Sequence, residues 1–239
     1  MDSRWLCAAD THPGARRKTN EDAVLACPDL SLWAVADGMG GHAAGDVASQ
    51  SIAAALATVT PRASLAEMVD QVDDVLCGVN FHLRDHAMSH CHGRTVGSTV
   101  VTMLARDRVG VVLWAGDSRL YRFRDRVLEQ ITRDHNPIGD LLDEGVITEK
   151  TAGARETNIV TRAVGGHVQL FLDVAVFDIR RGDTFLLCTD GLYRELEHHE
   201  IGTALRAGSV LQCAEQLMAQ GLARGARDNI SVVVSRREN

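Results

Sequence analysis

The stretch Trp33-Ala34-Val35-Ala36-Asp37-Gly38-Met39-Gly40-Gly41-His42-Ala43-Ala44-Gly45 decides how this chain folds. An apolar run stops on a carboxylate, and a glycine-rich turn leads into an Ala-rich segment of helical composition. Asp-Gly alone is an ordinary turn signal, because Gly accepts positive φ and Asp bonds its own backbone. Here the arrangement recurs. Asn20-Glu21-Asp22, Gly116-Asp117-Ser118, Thr189-Asp190-Gly191 and Arg227-Asp228-Asn229 each set a carboxylate beside a small or amide residue at the end of an apolar run. Carboxylates gathered from distant strand ends suit hard divalent cations such as Mg²⁺ or Mn²⁺, which take oxygen ligands. The pattern predicts a two-metal hydrolytic site centred on Asp37 and Gly38.

Working outward, residues 23–26 and 30–36 read as a hairpin around the turn-forming Cys27-Pro28-Asp29. Antiparallel pairing of those strands sets Asp22 against Asp37, a consequence of geometry alone. Upstream, residues 5–9 read as a first strand and 10–18 as a polar segment with the basic run Arg16-Arg17-Lys18. Downstream, residues 43–59 favour helix, and Ser64 with Glu67 makes a capping box for a longer amphipathic one. Its apolar face is Leu65, Met68, Val69, Val72, Leu76, Val79 and Leu83. His82, His86 and His90 share another face. With no acidic partner and no closing cysteine pair, they read as a solvated helix end rather than a zinc site.

Residues 97–105, 109–115, 120–123 and 127–131 are strand-like and read as a β-meander with Asp117 at one turn. The polar, Pro- and Gly-containing insert that follows predicts a substrate-facing flap over residues 136–158. Residues 168–177, 184–188 and 230–234 resume strand character. Asp190-Gly191 opens a helical region, and Ser209 with Gln212 caps a final helix. Antiparallel strands and amphipathic helices in separate blocks predict an α+β layered sandwich rather than a doubly wound parallel sheet. With no repeat or linker, residues 1–239 read as a single domain.

Composition narrows the partners. Hydrophobic residues at 45% and charged ones at 24% of 239 residues are those of an ordinary globular protein. A formal net charge of −7 argues against a nucleic-acid backbone or an anionic membrane as the main partner. The chain shows no signal-peptide pattern and no apolar run long enough to span a bilayer, so a cytoplasmic protein without membrane insertion is expected. Cys7, Cys27, Cys77, Cys91, Cys188 and Cys213 lack any Cys-x-x-Cys pair and are expected to be buried free thiols.

Taken in order, Arg17-Lys18-Thr19-Asn20-Glu21-Asp22, Asp37-Gly38-Met39-Gly40-Gly41, Gly116-Asp117-Ser118-Arg119, Thr189-Asp190-Gly191-Leu192 and Asp228-Asn229-Ile230 resemble the PP2C (PPM) metal-dependent protein phosphatases. The resemblance covers almost the whole chain and is closest to the short bacterial Ser/Thr phosphatases that oppose eukaryote-like kinases. It implies a four-layer α-β-β-α sandwich with two central antiparallel sheets and the metals at one end. It implies phosphoserine and phosphothreonine hydrolysis, phosphoprotein substrates, a cognate Ser/Thr kinase, and two Mn²⁺ or Mg²⁺ ions with a third, weaker one. A monomer is expected.

By the same resemblance, Asp37 bridges the two metals and the Gly38 carbonyl binds one of them. Asp22 is the acidic residue on the Gly38 side, Asp190 and Asp228 bind the other ion, and Asp117 with Asp190 holds the third. Glu21 is implied to bond metal-bound water, and Asn229 to orient Asp228. Arg17 matches the phosphate-binding arginine, whose planar fork of donors suits phosphoryl oxygens. Two cations about 3.5–4 Å apart activate a shared water for in-line attack on phosphorus, without a covalent enzyme intermediate. Met39 stands where animal members carry a proton-donating His. The nearby His42 reads as structural, which leaves metal-bound water as the proton source. Thr95-Val96-Gly97-Ser98-Thr99 reads as a structural core element.

Overall fold

The computed structural model describes residues 4–40, 44–143, 159–206 and 208–238. Within the flap prediction, residues 144–158 lie outside the described residues, as do Gly41, His42 and Ala43. In chain order the elements are β1 (Trp5–His12), β2 (Asp22–Cys27), β3 (Leu32–Met39), α1 (Gly45–Leu56), α2 (Leu65–His90), β4 (Gly97–Ser98), β5 (Val100–Arg106) and β6 (Val109–Ala115). There follow β7 (Arg119–Arg124), β8 (Val127–Gln130), α3 (Pro137–Asp143), β9 (Asp173–Asp178), β10 (Thr184–Cys188), α4 (Asp190–Tyr193), α5 (His198–Leu205), α6 (Val210–Ala223) and β11 (Ile230–Arg237).

The strands make two antiparallel sheets. The first runs β1-β11-β10-β7-β8 and the second β2-β3-β5-β6-β9, with β4 paired to β3. Three apolar cores follow from the period-2 alternation of strands buried on both faces. In β3, Leu32, Ala34 and Ala36 face α1 and α2, while Trp33 and Val35 face the opposite sheet. Trp5, Trp33 and Phe185 fill the middle between the sheets, and the Trp5 and Trp33 rings lie 4.7 Å apart. The first sheet closes its outer face with α4, α5 and α6. The result is a four-layer α-β-β-α sandwich, an α+β fold.

Caps at Ser64/Glu67 and Ser209/Gln212 are both present, and Met68, Val72, Leu76, Val79 and Leu83 are buried on α2. His82 and His90 are exposed, and the His86 and His90 rings stack at 4.7 Å. Three expectations are corrected. The strands around Asp117 are not one meander. β5 and β6 form a hairpin in the second sheet, and Gly116-Asp117-Ser118 then carries the chain across to β7 in the first. Turn chemistry is the same for a hairpin and a crossover, so the residues alone do not separate the two. The strand expected over 168–177 begins only at Asp173, because residues 169–172 line a cavity of about 580 Å³ instead of pairing with β6. All six cysteines are free, but only Cys188 and Cys213 are buried, and Cys77 is exposed on α2.

Candidate metal centre

The β2–β3 hairpin supplies the first carboxylates. Its register sets Asp22 opposite Asp37. The end of β3 is fixed by the strand-like segment next to it. Thr99 N–H and Ser98 Oγ–H both donate to the Asp37 carbonyl oxygen (2.9 Å each), and Asp37 N–H donates to Thr99 Oγ1 at 3.1 Å. The 95–99 segment is thus structural in a specific sense: it clamps the backbone of Asp37. Thr99 Oγ1 also lies 2.7 Å from Ser118 Oγ, which ties the crossover carrying Asp117 to the same clamp.

Gly38 and Gly45 let the hairpin end touch the start of α1. A Cβ on Gly38 would sit 2.0 Å from the Gly45 carbonyl oxygen. One on Gly45 would sit 2.8 Å from both the Gly38 oxygen and Glu21 Oε1. Two oxygens named at the sequence level, the Gly38 carbonyl and the Glu21 carboxylate, therefore meet beside Asp37.

The first sheet brings Asp190 and Asp228. Asp190 opens α4 directly after β10, and Asp228 precedes β11. Gly191 permits their approach, since a Cβ there would lie 1.9 Å from the Asn229 carbonyl oxygen. Asn229 reaches Asp228 through its backbone N–H, which donates to Oδ1 at 2.9 Å. Its side chain does something the sequence did not disclose. Oδ1 accepts from Glu21 N–H, and Nδ2 donates to the carbonyls of Pro13 and Thr19, which pins the loop that carries Arg17. Arg17 Nη2 in turn donates to Asp228 Oδ2 at 2.8 Å.

Burial makes these carboxylates costly. Asp22 is 2% exposed, and its carboxyl is pushed up to about 7. Burial is the main cause, and the charges of Asp190 and Asp228 add to it against hydrogen bonds from Ser231 and Thr189. Those hydroxyls donate to Asp22 Oδ2 at 2.6 and 2.9 Å. Asp37 is held well above the usual carboxylate range, first by its low-dielectric surroundings, then by Asp22, Asp190, Asp117 and Asp228. Asp190 is raised by burial and by the charge of Asp228, against that of Arg194. Asp117 is also pushed up to about 7, by burial and by Asp190 and Asp134.

Among the described residues, five carboxylates thus face the guanidiniums of Arg17 and Arg194. Buried charge is tolerated when it is paired or coordinates a metal. Among the described residues, Asp22 Oδ1 and Asp190 Oδ1 are buried with no hydrogen-bond partner, and such an atom forfeits roughly 1–3 kcal/mol or more. All-oxygen donors, surplus negative charge and two orphaned carboxylate oxygens fit hard divalent cations. No three Asp, Glu, His or Cys side chains among the described residues close round a single point. Asp228 and Asp190 are engaged by Arg17 and Arg194, so an ion would draw on them in competition with those cations.

Sequence reasoning missed Arg194, Thr189 and Ser231. Arg194 had one local signal, its i,i+4 spacing from Asp190. Thr189 and Ser231 carried none beyond lying next to or near motif residues.

Comparison with known proteins gives the family. A family profile described as protein phosphatase 2C matches residues 14–230. The Ser/Thr protein phosphatase PstP of Mycobacterium tuberculosis is 36% identical over 230 residues, covering 95% of this chain and 44% of the relative. The chain therefore spans less than half the length of that protein. The solved structure of PppA, described as a key regulatory component of T6SS in Pseudomonas aeruginosa, superposes with a TM-score of 0.90. It is 42% identical, with 98% of each chain covered. The PstP catalytic domain in complex with two manganese ions superposes with a TM-score of 0.86. It is 34% identical, with 98% of this chain and 99% of that one covered. The chain belongs to the protein phosphatase 2C family.

Proposed function

We propose that this chain is a metal-dependent phosphatase that hydrolyses phosphoserine and phosphothreonine in proteins. The observation that carries the reading is the pair of partnerless buried oxygens, Asp22 Oδ1 and Asp190 Oδ1, within the cluster of carboxylates. The manganese pair in the PstP catalytic domain supports it. Asp37, Asp22 and the Gly38 carbonyl would hold one ion, and Asp37, Asp190 and Asp228 the other. Asp117 faces Asp190 across Arg194. Divalent ions bound there acidify water and offset phosphoryl charge.

The chain's own residues do the rest. Ser231 and Thr189 hold Asp22 Oδ2, which leaves Oδ1 as the donor. The Ser98–Thr99 clamp holds Asp37 still, so little reorganisation accompanies binding. Arg17, exposed at the edge of the site and tethered by Asp228, can offer its remaining N–H groups to phosphoryl oxygens. Met39 offers no proton, so the one the leaving alkoxide needs would come from water held by the ions. One catalytic unit acting in the cytoplasm as a monomer, against a cognate Ser/Thr kinase, completes the reading.

The test is a substrate panel with Mn²⁺: a phosphoserine or phosphothreonine peptide, a nucleotide and single-stranded DNA. The phosphopeptide should turn over, and chelation should abolish the reaction. Turnover of the nucleotide or DNA alone, or full activity after exhaustive chelation, overturns the proposal.

A further inference from the structure

Arg194 sits where the third ion would go. It follows the one-turn helix α4, its N–H donates to the Asp190 carbonyl at 3.0 Å, and its guanidinium turns back over the cluster. Nη2 lies 2.9 Å from Asp190 Oδ2 and 3.6 Å from Asp117 Oδ2, so one cation spans the two carboxylates. The side chain is only 20% exposed.

A second contact binds the same pieces together. Tyr193 Oη–H donates to the Asp117 carbonyl oxygen at 2.9 Å. Its ring lies under the Arg119 guanidinium, 3.5 Å from the centroid, while Arg119 grips Asp134 through Nε and Nη2. The 190–194 segment therefore fixes both the backbone and the carboxylate of Asp117 with protein groups alone.

We propose that Arg194 is a built-in cation that replaces a third divalent ion, so that this protein takes up two ions and Asp117 is a ligand of Arg194. This inference rests on the phosphatase reading of the site. A guanidinium cannot be deprotonated near neutral pH and repels a divalent ion brought against the same two carboxylates. An uncharged side chain at position 194 leaves Asp117 and Asp190 facing each other with no cation, and a hard ion then becomes the group that neutralises them.

The test is Mn²⁺ uptake by the purified chain, by calorimetric titration and by the paramagnetic resonance of free Mn²⁺, with folding checked by thermal melts. Wild type should bind two ions. Arg194→Gln should gain a third, or tighten its weakest binding step at least about tenfold, the scale on which groups around metal ligands tune affinity. Arg194→Lys keeps the charge and should restore the wild-type count. Adding Asp117→Asn to Arg194→Gln should remove the extra ion. Three ions on wild type, an unchanged count and affinity in Arg194→Gln, or weaker binding in that variant each overturn the proposal. Wild type that binds no Mn²⁺ overturns the phosphatase reading with it, and that outcome appears before any variant is compared.

Discussion

Removing the metals should make the protein lose stability as pH rises. Asp22 and Asp117 are both held up to about 7, chiefly by burial, whereas an unfolded aspartate titrates near 4. Between those values the folded, metal-free chain keeps protons that the unfolded chain has released. The stabilisation is complete below about pH 4 and is lost as pH climbs through 7. One carboxyl raised by about 3 units corresponds to roughly 4 kcal/mol at 1.36 kcal/mol per unit. For a chain of this size that is a fall in Tm of about 10 °C, at 2–4 °C per kcal/mol. Asp173 runs the other way. Its partners His135 and Arg162 hold it below the usual range against the effect of burial, so its contribution is lost only in acid. Melting curves from pH 5 to 8.5, in chelator and in Mn²⁺, separate the effects. In chelator Tm should drop across the range. The gain from Mn²⁺ should be largest at pH 8, where an ion takes over the role of the proton on Asp22. A chelated protein whose Tm is flat or rises between pH 5 and 8 refutes the reasoning.

Asp37→Ala removes the carboxylate on which four other aspartates act; kcat should collapse and calorimetric Mn²⁺ binding should weaken sharply. Arg17→Ala should raise KM and lower kcat/KM on a phosphopeptide while Mn²⁺ uptake persists, and unchanged kinetics would mean that another group binds the phosphate. Gly191→Ala places a methyl 1.9 Å from the Asn229 carbonyl oxygen. The overpacking should cost about 1–3 kcal/mol in a melt and lower Mn²⁺ affinity by parting Asp190 from Asp228.

The hairpin was legible because two apolar runs flank a Pro-Asp turn. Once residues 23–26 and 30–36 pair antiparallel around it, Asp22 and Asp37 at their outer ends meet, and they do. Strand ends were legible only where apolar residues ran to the end. β1 continues through Asp10, Thr11 and His12 because Val232, Ser231 and Ile230 of β11 pair with them, and the polar residues of β1 do not announce that partner. The choice of sheet at Gly116-Asp117-Ser118 depends on cores assembled from both ends of the chain, as does the role of Arg194, whose partner Asp117 is 77 positions away. The carboxylates themselves stood out because acidic residues at the ends of apolar runs are costly without a charge partner. The hydroxyls of Thr189 and Ser231 did not, because Ser and Thr in strands have many uses.

The split origin of the carboxylates has a mechanical meaning. Asp22 and Asp37 come from the second sheet, Asp190 and Asp228 flank strands of the first, and Asp117 lies on the crossover between them. Between the sheets lies an apolar filling around Trp33, which resists separation but is non-directional and permits small sliding. Ions gripped from both sides would act as a rivet at one end of that sliding interface. Shear between the sheets would then be felt first as a change in the spacing of Asp37 and Asp190, so the site's geometry reports the alignment of the whole sandwich.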